Sequence, residues 1–179
     1  MGGLNLGLAD YNPTVLQLVT LPNLLLSWAQ VIFKDRWEFE GELEIEPDLI
    51  SEFLSTLSVH NIRLSFFSGA WSPEFVDLVK ENFYAGPEHE HGPLTIVGAE
   101  TIYSPIALKA FGETLMSLLE EFSGGYKIAL VGAKKVYFGV GGSMEDFCEM
   151  VGNNGGVVEQ IREEADGVRR AVVEVRVGQ

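Results

Sequence analysis

The stretch Leu94-Thr95-Ile96-Val97-Gly98-Ala99-Glu100-Thr101-Ile102-Tyr103-Ser104-Pro105 decides how the rest of the chain is read. Residues 94–99 are short and mostly apolar, the pattern of a strand buried on both faces of a parallel sheet. Ser104-Pro105 is a helix start. The serine hydroxyl can accept from the first free N–H groups, and proline, which has no N–H to lose, suits the first turn. The same grammar occurs twice more, at Tyr11-Asn12-Pro13 after a strand-like stretch over 4–9, and at Trp71-Ser72-Pro73 after another over 62–67. Three strand-to-helix turns place polar and aromatic groups at the carboxyl ends of three strands, the edge where open α/β sheets bind ligands.

Outward from these turns, strand and helix alternate. Helix is expected from Pro13, with Val15, Leu18, Val19 and Leu26 at core spacing and Pro22 kinking or restarting it. Residues 36–46 alternate acidic and apolar side chains and suggest an exposed β-excursion. A helix over 47–57 sets Leu49, Ile50, Phe53, Leu54 and Leu57 on one face. Further helices are expected over 73–83 and from Pro105, the latter with the stripe Leu108, Phe111, Leu115, Leu118, Leu119 and Phe122. Residues 85–93 read as a surface loop, 127–133 as a strand and 144–151 as a helix. Residues 157–162 and 168–177 form a hairpin through Ala165-Asp166-Gly167. The pattern predicts a doubly wound, mostly parallel α/β sheet with an antiparallel last strand.

A chain of 179 residues has the length of one domain. Its formal net charge of −14 opposes direct nucleic-acid binding, which needs clustered Lys and Arg, and suits a basic protein partner. Glu38, Glu40, Glu42, Glu44, Glu46 and Asp48 concentrate the acid in one segment, a solvated face or a partner contact. Cys148 is the lone cysteine, so no internal disulfide is expected and the interior of the cell, cytoplasm or nucleus, is favoured. Glu145, Asp146 and Glu149 around it oppose thiolate chemistry. No basic-then-apolar leader opens the sequence. The apolar run over 15–33 is interrupted by Gln17, Pro22, Asn23 and Gln30; it reads as a buried helix, too polar for a membrane span.

Several residues could carry chemistry. Asp10 at a strand end could accept hydrogen bonds from a ribose diol or serve a turn beside Asn12. Trp71 could cover an adenine or a sulfonium, or fill the core. Glu100, three residues before Tyr103, could stabilise a cation, accept a proton or cap the next helix. The run Tyr137-Phe138-Gly139-Val140-Gly141-Gly142 contains no complete phosphate-binding signature and reads as a flexible wall of the crevice. His89 and His91 flank Glu90 without a third ligand at sensible spacing, so no metal site is expected, and His60 reads as structural.

Five segments in order resemble the histidine protein methyltransferase family: Asp10-Tyr11-Asn12, then Val19-Thr20-Leu21-Pro22-Asn23, then residues 66–72, then Glu100-Thr101-Ile102-Tyr103-Ser104-Pro105, then residues 133–142. Those are seven-strand, S-adenosylmethionine-dependent enzymes related to a lysine-methylating group with a Glu or Asp-x-x-Tyr signature. The resemblance implies a Rossmann-like methyltransferase domain over 1–179. It implies that Asp10, Tyr11 and Asn12 meet the cofactor's ribose and adenine edge, that Gly69 and Trp71 lie at the adenine, and that Ala99 borders the methionine moiety. Glu100 and Tyr103 would shape the transfer site, and the substrate would be a histidine of a large-subunit ribosomal protein. Family members open with a further strand and a glycine-rich, acid-containing loop. Here Met1-Gly2-Gly3 leads straight into what resembles the second strand, so a carboxyl-terminal portion lacking that strand and loop is implied. A non-catalytic α/β binding remnant and a protein-lysine methyltransferase relative are the alternatives.

Overall fold

The computed structural model describes residues 3–34, 42–83, 92–123, 125–164 and 166–178. Two compact units divide the chain, Met1–Ala70 and Trp71–Gln179.

In the first unit, β1 (Leu4–Asp10) and β2 (Ile62–Ser68) form a parallel two-stranded ladder from Leu4↔Ile62 to Asp10↔Ser68. Between them come α1 (Pro13–Val15), a π-helical turn (Leu16–Thr20), α2 (Leu21–Ile32) and α3 (Pro47–Val59). Asn12 caps the first helix by accepting from the Thr14 N–H. The wide turn has a cause at Pro22. Proline offers no N–H to the carbonyl four residues back and its ring crowds that carbonyl. The Leu21 N–H bonds instead to the Leu16 carbonyl, five residues back, and a regular helix restarts at Leu21. The expected restart is therefore present, but the wide turn changes which side chains share a face. Leu16, Leu25 and Ala29 are buried, whereas Leu18 is 65% exposed and Val19 50%. The expected core set is corrected accordingly: Leu18, Val19 and Leu26 are exposed, and Val15 is only partly buried. The reading of this run as a buried helix too polar for a span is corrected as well. Many of its apolar side chains are exposed, Val31 at 74% among them, and Pro13–Ile32 is long and apolar enough to cross a membrane by length and composition, a test that helices of other kinds also pass. Trp28 on α2 meets Phe53 of α3 edge to face at 5.4 Å, joining the two helices. Residues 42–46 carry no strand, and the rest of the acidic segment, including Glu38 and Glu40, lies outside the described residues.

The second unit has a four-stranded sheet in the order β3 (Leu94–Ala99), β4 (Lys127–Lys134), β6 (Arg170–Val177), β5 (Gly156–Glu164). β3 and β4 are parallel, and β6 runs antiparallel to both of its neighbours. The last strand thus inserts inside the sheet instead of lying at its edge. Helices α4 (Pro73–Phe83), α5 (Pro105–Glu121) and α6 (Met144–Asn153) complete the unit. All six residues of the expected stripe, Leu108 to Phe122, are buried. All but Leu118 pack in one core cluster with Ala129, Val131, Val173, Val175 and Phe147. Ser72 and Ser104 cap as their positions predicted, accepting from the Phe75 and Ala107 N–H groups. β3 departs from expectation. Leu94 and Gly98 are buried on the helix side, but Val97 on the opposite face is 72% exposed, so the strand is buried on one face.

Candidate functional site

In the first unit the residues expected at a nucleoside gather at the end of the ladder. Asp10 ends β1 opposite Ser68, and its main-chain carbonyl accepts from the Gly69 N–H at 3.4 Å. One Asp10 carboxylate oxygen, Oδ1, accepts from the Asn12 N–H at 2.8 Å. The turn role is therefore real, and it fixes the carboxylate at the strand's carboxyl edge. Tyr11 beside it is 70% exposed. Asp10, Tyr11, Asn12 and Gly69 are thus brought together, as a carboxylate and an exposed ring on one rim.

In the second unit Trp71 stacks edge-on against Phe75 at 5.0 Å and Phe111 at 5.7 Å. It packs against the core cluster while remaining partly accessible. Ala99 and Glu100 sit where β3 ends. The Glu100 N–H donates to the Gly132 carbonyl at 2.9 Å, and its backbone then turns into the left-handed region with φ of +54°. Side chains other than glycine adopt that conformation at a cost and collect at functional sites. The capping reading does not hold: Ser104 caps α5, and the Glu100 carboxylate is engaged elsewhere. Its Oε2 accepts from the Tyr137 hydroxyl at 2.7 Å, and its Oε1 accepts from Arg170 Nε at 3.4 Å. Tyr103, expected beside Glu100, is half exposed on the next turn.

Beside the carboxylate lies a recess of about 300 Å³, with Ala99, Gly132 and Val172 as small apolar walls and Arg162, Glu164 and Arg170 as its charged rim. The Tyr137 ring is buried, and burial first, then the hydrogen bond to Glu100, pushes its phenol up to about 12. It is a neutral donor at physiological pH. On the neighbouring hairpin, hydrogen bonds from Lys135 and then Arg169 hold the Glu163 carboxyl at about 2. Cys148 is partly buried, and desolvation raises its thiol, in keeping with an inert cysteine.

Among the described residues no group of three metal-ligating side chains occurs, and His89 and His91 lie outside them. Sequence alone does not pair Tyr137 with Glu100: 37 positions separate the two, and no local pattern reports such a contact. Nor does it place Arg162, Glu164 and Arg170 there, for the same reason.

No family model matches the chain. It is similar to "Histidine protein methyltransferase 1" of Saccharomyces cerevisiae, 34% identical over 158 residues, covering 81% of this chain and 40% of that protein. The protein of the same name from Schizosaccharomyces pombe is 37% identical over 139 residues, covering 77% of this chain and 38% of its own length. "Histidine protein methyltransferase 1 homolog" of Mus musculus is 32% identical over 168 residues, covering 93% and 41%. The chain spans about two fifths of the length of the curated relatives it matches.

Proposed function

We propose that this chain, which belongs by sequence to the histidine protein methyltransferase family, takes part in N-methylation of a protein histidine. A large-subunit ribosomal protein is the proposed substrate and S-adenosylmethionine the methyl donor. The observation that carries the reading is Glu100, a carboxylate in a left-handed turn at a strand's carboxyl end, held by Tyr137 and Arg170 at the mouth of a recess.

The chemistry of the residues fits a nucleoside cofactor at Asp10. A carboxylate with one oxygen fixed by the Asn12 N–H is an acceptor suited to vicinal ribose hydroxyls, and the exposed Tyr11 ring offers an apolar surface next to it. When bound, S-adenosylmethionine supplies a methyl group on a sulfonium, whose carbon–sulfur bond breaks as the nitrogen–carbon bond forms. The acceptor imidazole must be neutral, with a lone pair on one ring nitrogen and a proton on the other. Glu100 accepts that N–H, aligns the ring and takes the proton as positive charge develops on it. The small walls Ala99, Gly132 and Val172 leave room for a flat ring. Alignment supplies the larger part of the acceleration, and the positioned carboxylate adds a general-base contribution.

The test is transfer of a labelled methyl group from S-adenosylmethionine to large-subunit ribosomal proteins, with the modified residue identified by mass spectrometry. Methylhistidine is expected. Glu100→Gln should lower the rate roughly a hundredfold or more, and Asp10→Ala should weaken S-adenosylhomocysteine binding measured by calorimetry. Methyl groups on lysine alone, or rates indifferent to Glu100→Gln, would overturn the assignment.

A further inference from the structure

Beyond Tyr137 itself, the glycine-rich run over 138–142 touches neither Glu100 nor the recess, yet its geometry is specific. Tyr137 stands at its start, and the segment folds back on that residue. The Tyr137 N–H donates to the Gly142 carbonyl at 2.9 Å, while the Tyr137 carbonyl accepts from the Gly141 N–H at 3.2 Å and from the Val140 N–H at 3.4 Å. A bridge between Val136 and Ser143 closes the base. Gly139 and Gly141 have φ of +82° and +80°, where side chains are strained. Gly142 lies against the turn that precedes α5: a Cβ there would run into the Ile102 carbonyl oxygen and sit 2.9 Å from the Ser104 nitrogen. The segment is a hydrogen-bonded turn docked on residues 102–104, not the flexible wall that its composition suggests.

What that docking fixes is the tyrosine. Its ring is 8% exposed. Its hydroxyl oxygen accepts from the Lys134 N–H at 3.3 Å and donates its single proton to Glu100 at 2.7 Å. A phenol held by its ring, its backbone and one accepted hydrogen bond has one direction left in which to donate. Glu100 therefore receives a donor on each oxygen, Tyr137 on Oε2 and Arg170 on Oε1. The Arg170 bond is longer, and both of its partners are about half exposed, so Tyr137 is the stronger constraint.

We infer that the glycine-rich turn is a positioning device, which seats Tyr137 so that its hydroxyl fixes the Glu100 carboxylate at the recess. The inference rests on the methyl-transfer reading only for what Glu100 then does to a bound imidazole. Tyr137 is a positioning residue: it acts through Glu100, and the turn acts through Tyr137. The specificity that follows is for a flat N–H-bearing ring, because a carboxylate held in one orientation selects a donor approaching from one direction, whereas a freely rotating one accepts a mobile ammonium equally well.

The experiment is nuclear magnetic resonance of the 179-residue chain, with the χ1 rotamer populations of Glu100 obtained from three-bond couplings. A single dominant rotamer is expected in the wild type. In Tyr137→Phe, which keeps the ring and removes only the donor, averaging over at least two rotamers is expected. Gly142→Ala should give the same averaging; should that variant fail to fold, Tyr137→Phe decides alone. Arg170→Gln should leave the dominant rotamer in place. A tyrosine that merely filled the core would alter the melting temperature and leave the Glu100 rotamer unchanged, and that result overturns the inference. In transfer to a peptide carrying one histidine, Tyr137→Phe should lower kcat ten- to a hundredfold with KM within twofold, and a change in KM alone also overturns it. Absence of transfer by the wild type defeats the methyl-transfer reading instead, and the rotamer measurement still decides the role of Tyr137.

Discussion

Glu100 and Asn61, with φ of +54° and +53°, are the non-glycine residues in the left-handed region among those described. Asn tolerates that conformation through local hydrogen bonding, whereas a glutamate there carries a steric cost of roughly 1–2 kcal/mol between its Cβ and its own backbone. Replacing Glu100 with Ala or with Gly removes the same carboxylate, but only Gly also relieves the backbone. Glu100→Gly should therefore be about 1 kcal/mol more stable than Glu100→Ala in urea denaturation; equal stabilities would mean that the left-handed turn is not enforced by the fold. Tyr137 yields a second expectation through pH. Its phenol is raised from 10.0 to about 12, chiefly by burial and then by the bond to Glu100. The folded chain keeps a proton that the unfolded chain releases above pH 10. That stabilisation is complete below pH 10 and is lost as pH rises toward 12. The melting temperature of Tyr137→Phe should fall less between pH 10 and 12 than that of the wild type, and parallel curves would refute the burial of a neutral phenol.

At the scale of elements, local chemistry was readable and long-range placement was not. The Asn12-Pro13, Ser72-Pro73 and Ser104-Pro105 turns could be found from two adjacent residues because a cap satisfies groups within three positions of itself. The stripe of α5 was equally plain, since one uninterrupted helix keeps its phase from Leu108 to Leu119. The first helical run lost its phase at a single feature. Pro22 forces the wide turn over Leu16–Thr20, and every face assigned from regular helical spacing across it is displaced. Strand order had no local signature: nothing in residues 170–177 says that they lie between β4 and β5 and not outside them. In the candidate site, Asp10 and Glu100 could be found because they stand at strand ends. Tyr137 could not, because what seats it is the close approach of Gly142 to residues 102–104, a contact between segments far apart in sequence.

For the whole molecule, the division into two units has an energetic counterpart in where the apolar side chains meet. One continuous cluster joins α5, α6, β3, β4 and β6, from Leu94 through Phe111, Leu119 and Phe147 to Val175, and Trp71 packs on its margin. Every member of that cluster lies within Trp71–Gln179. The unit also encloses its own sheet of four strands, and the Lys80–Glu121 ion pair ties α4 to α5. A segment that contains both its sheet and the helices covering one face has what cooperative folding requires, with hydrophobic burial as the main driving term. Residues 71–179 expressed alone should therefore unfold in one cooperative thermal transition. Of the three tryptophans, Trp28, Trp37 and Trp71, only the last is in this segment, so its fluorescence reports a single site. Trp71 is edge-on to Phe75 and Phe111, and its emission should be blue-shifted in the folded fragment and move to the red in step with the loss of helix by circular dichroism. A gradual melt, or a tryptophan already emitting like free indole at low temperature, would show that the cluster needs residues before Trp71 to close. The Tyr137–Glu100 bond would then depend on them as well, because the turn that seats the tyrosine is docked on Ile102, one of the side chains most deeply buried in that cluster.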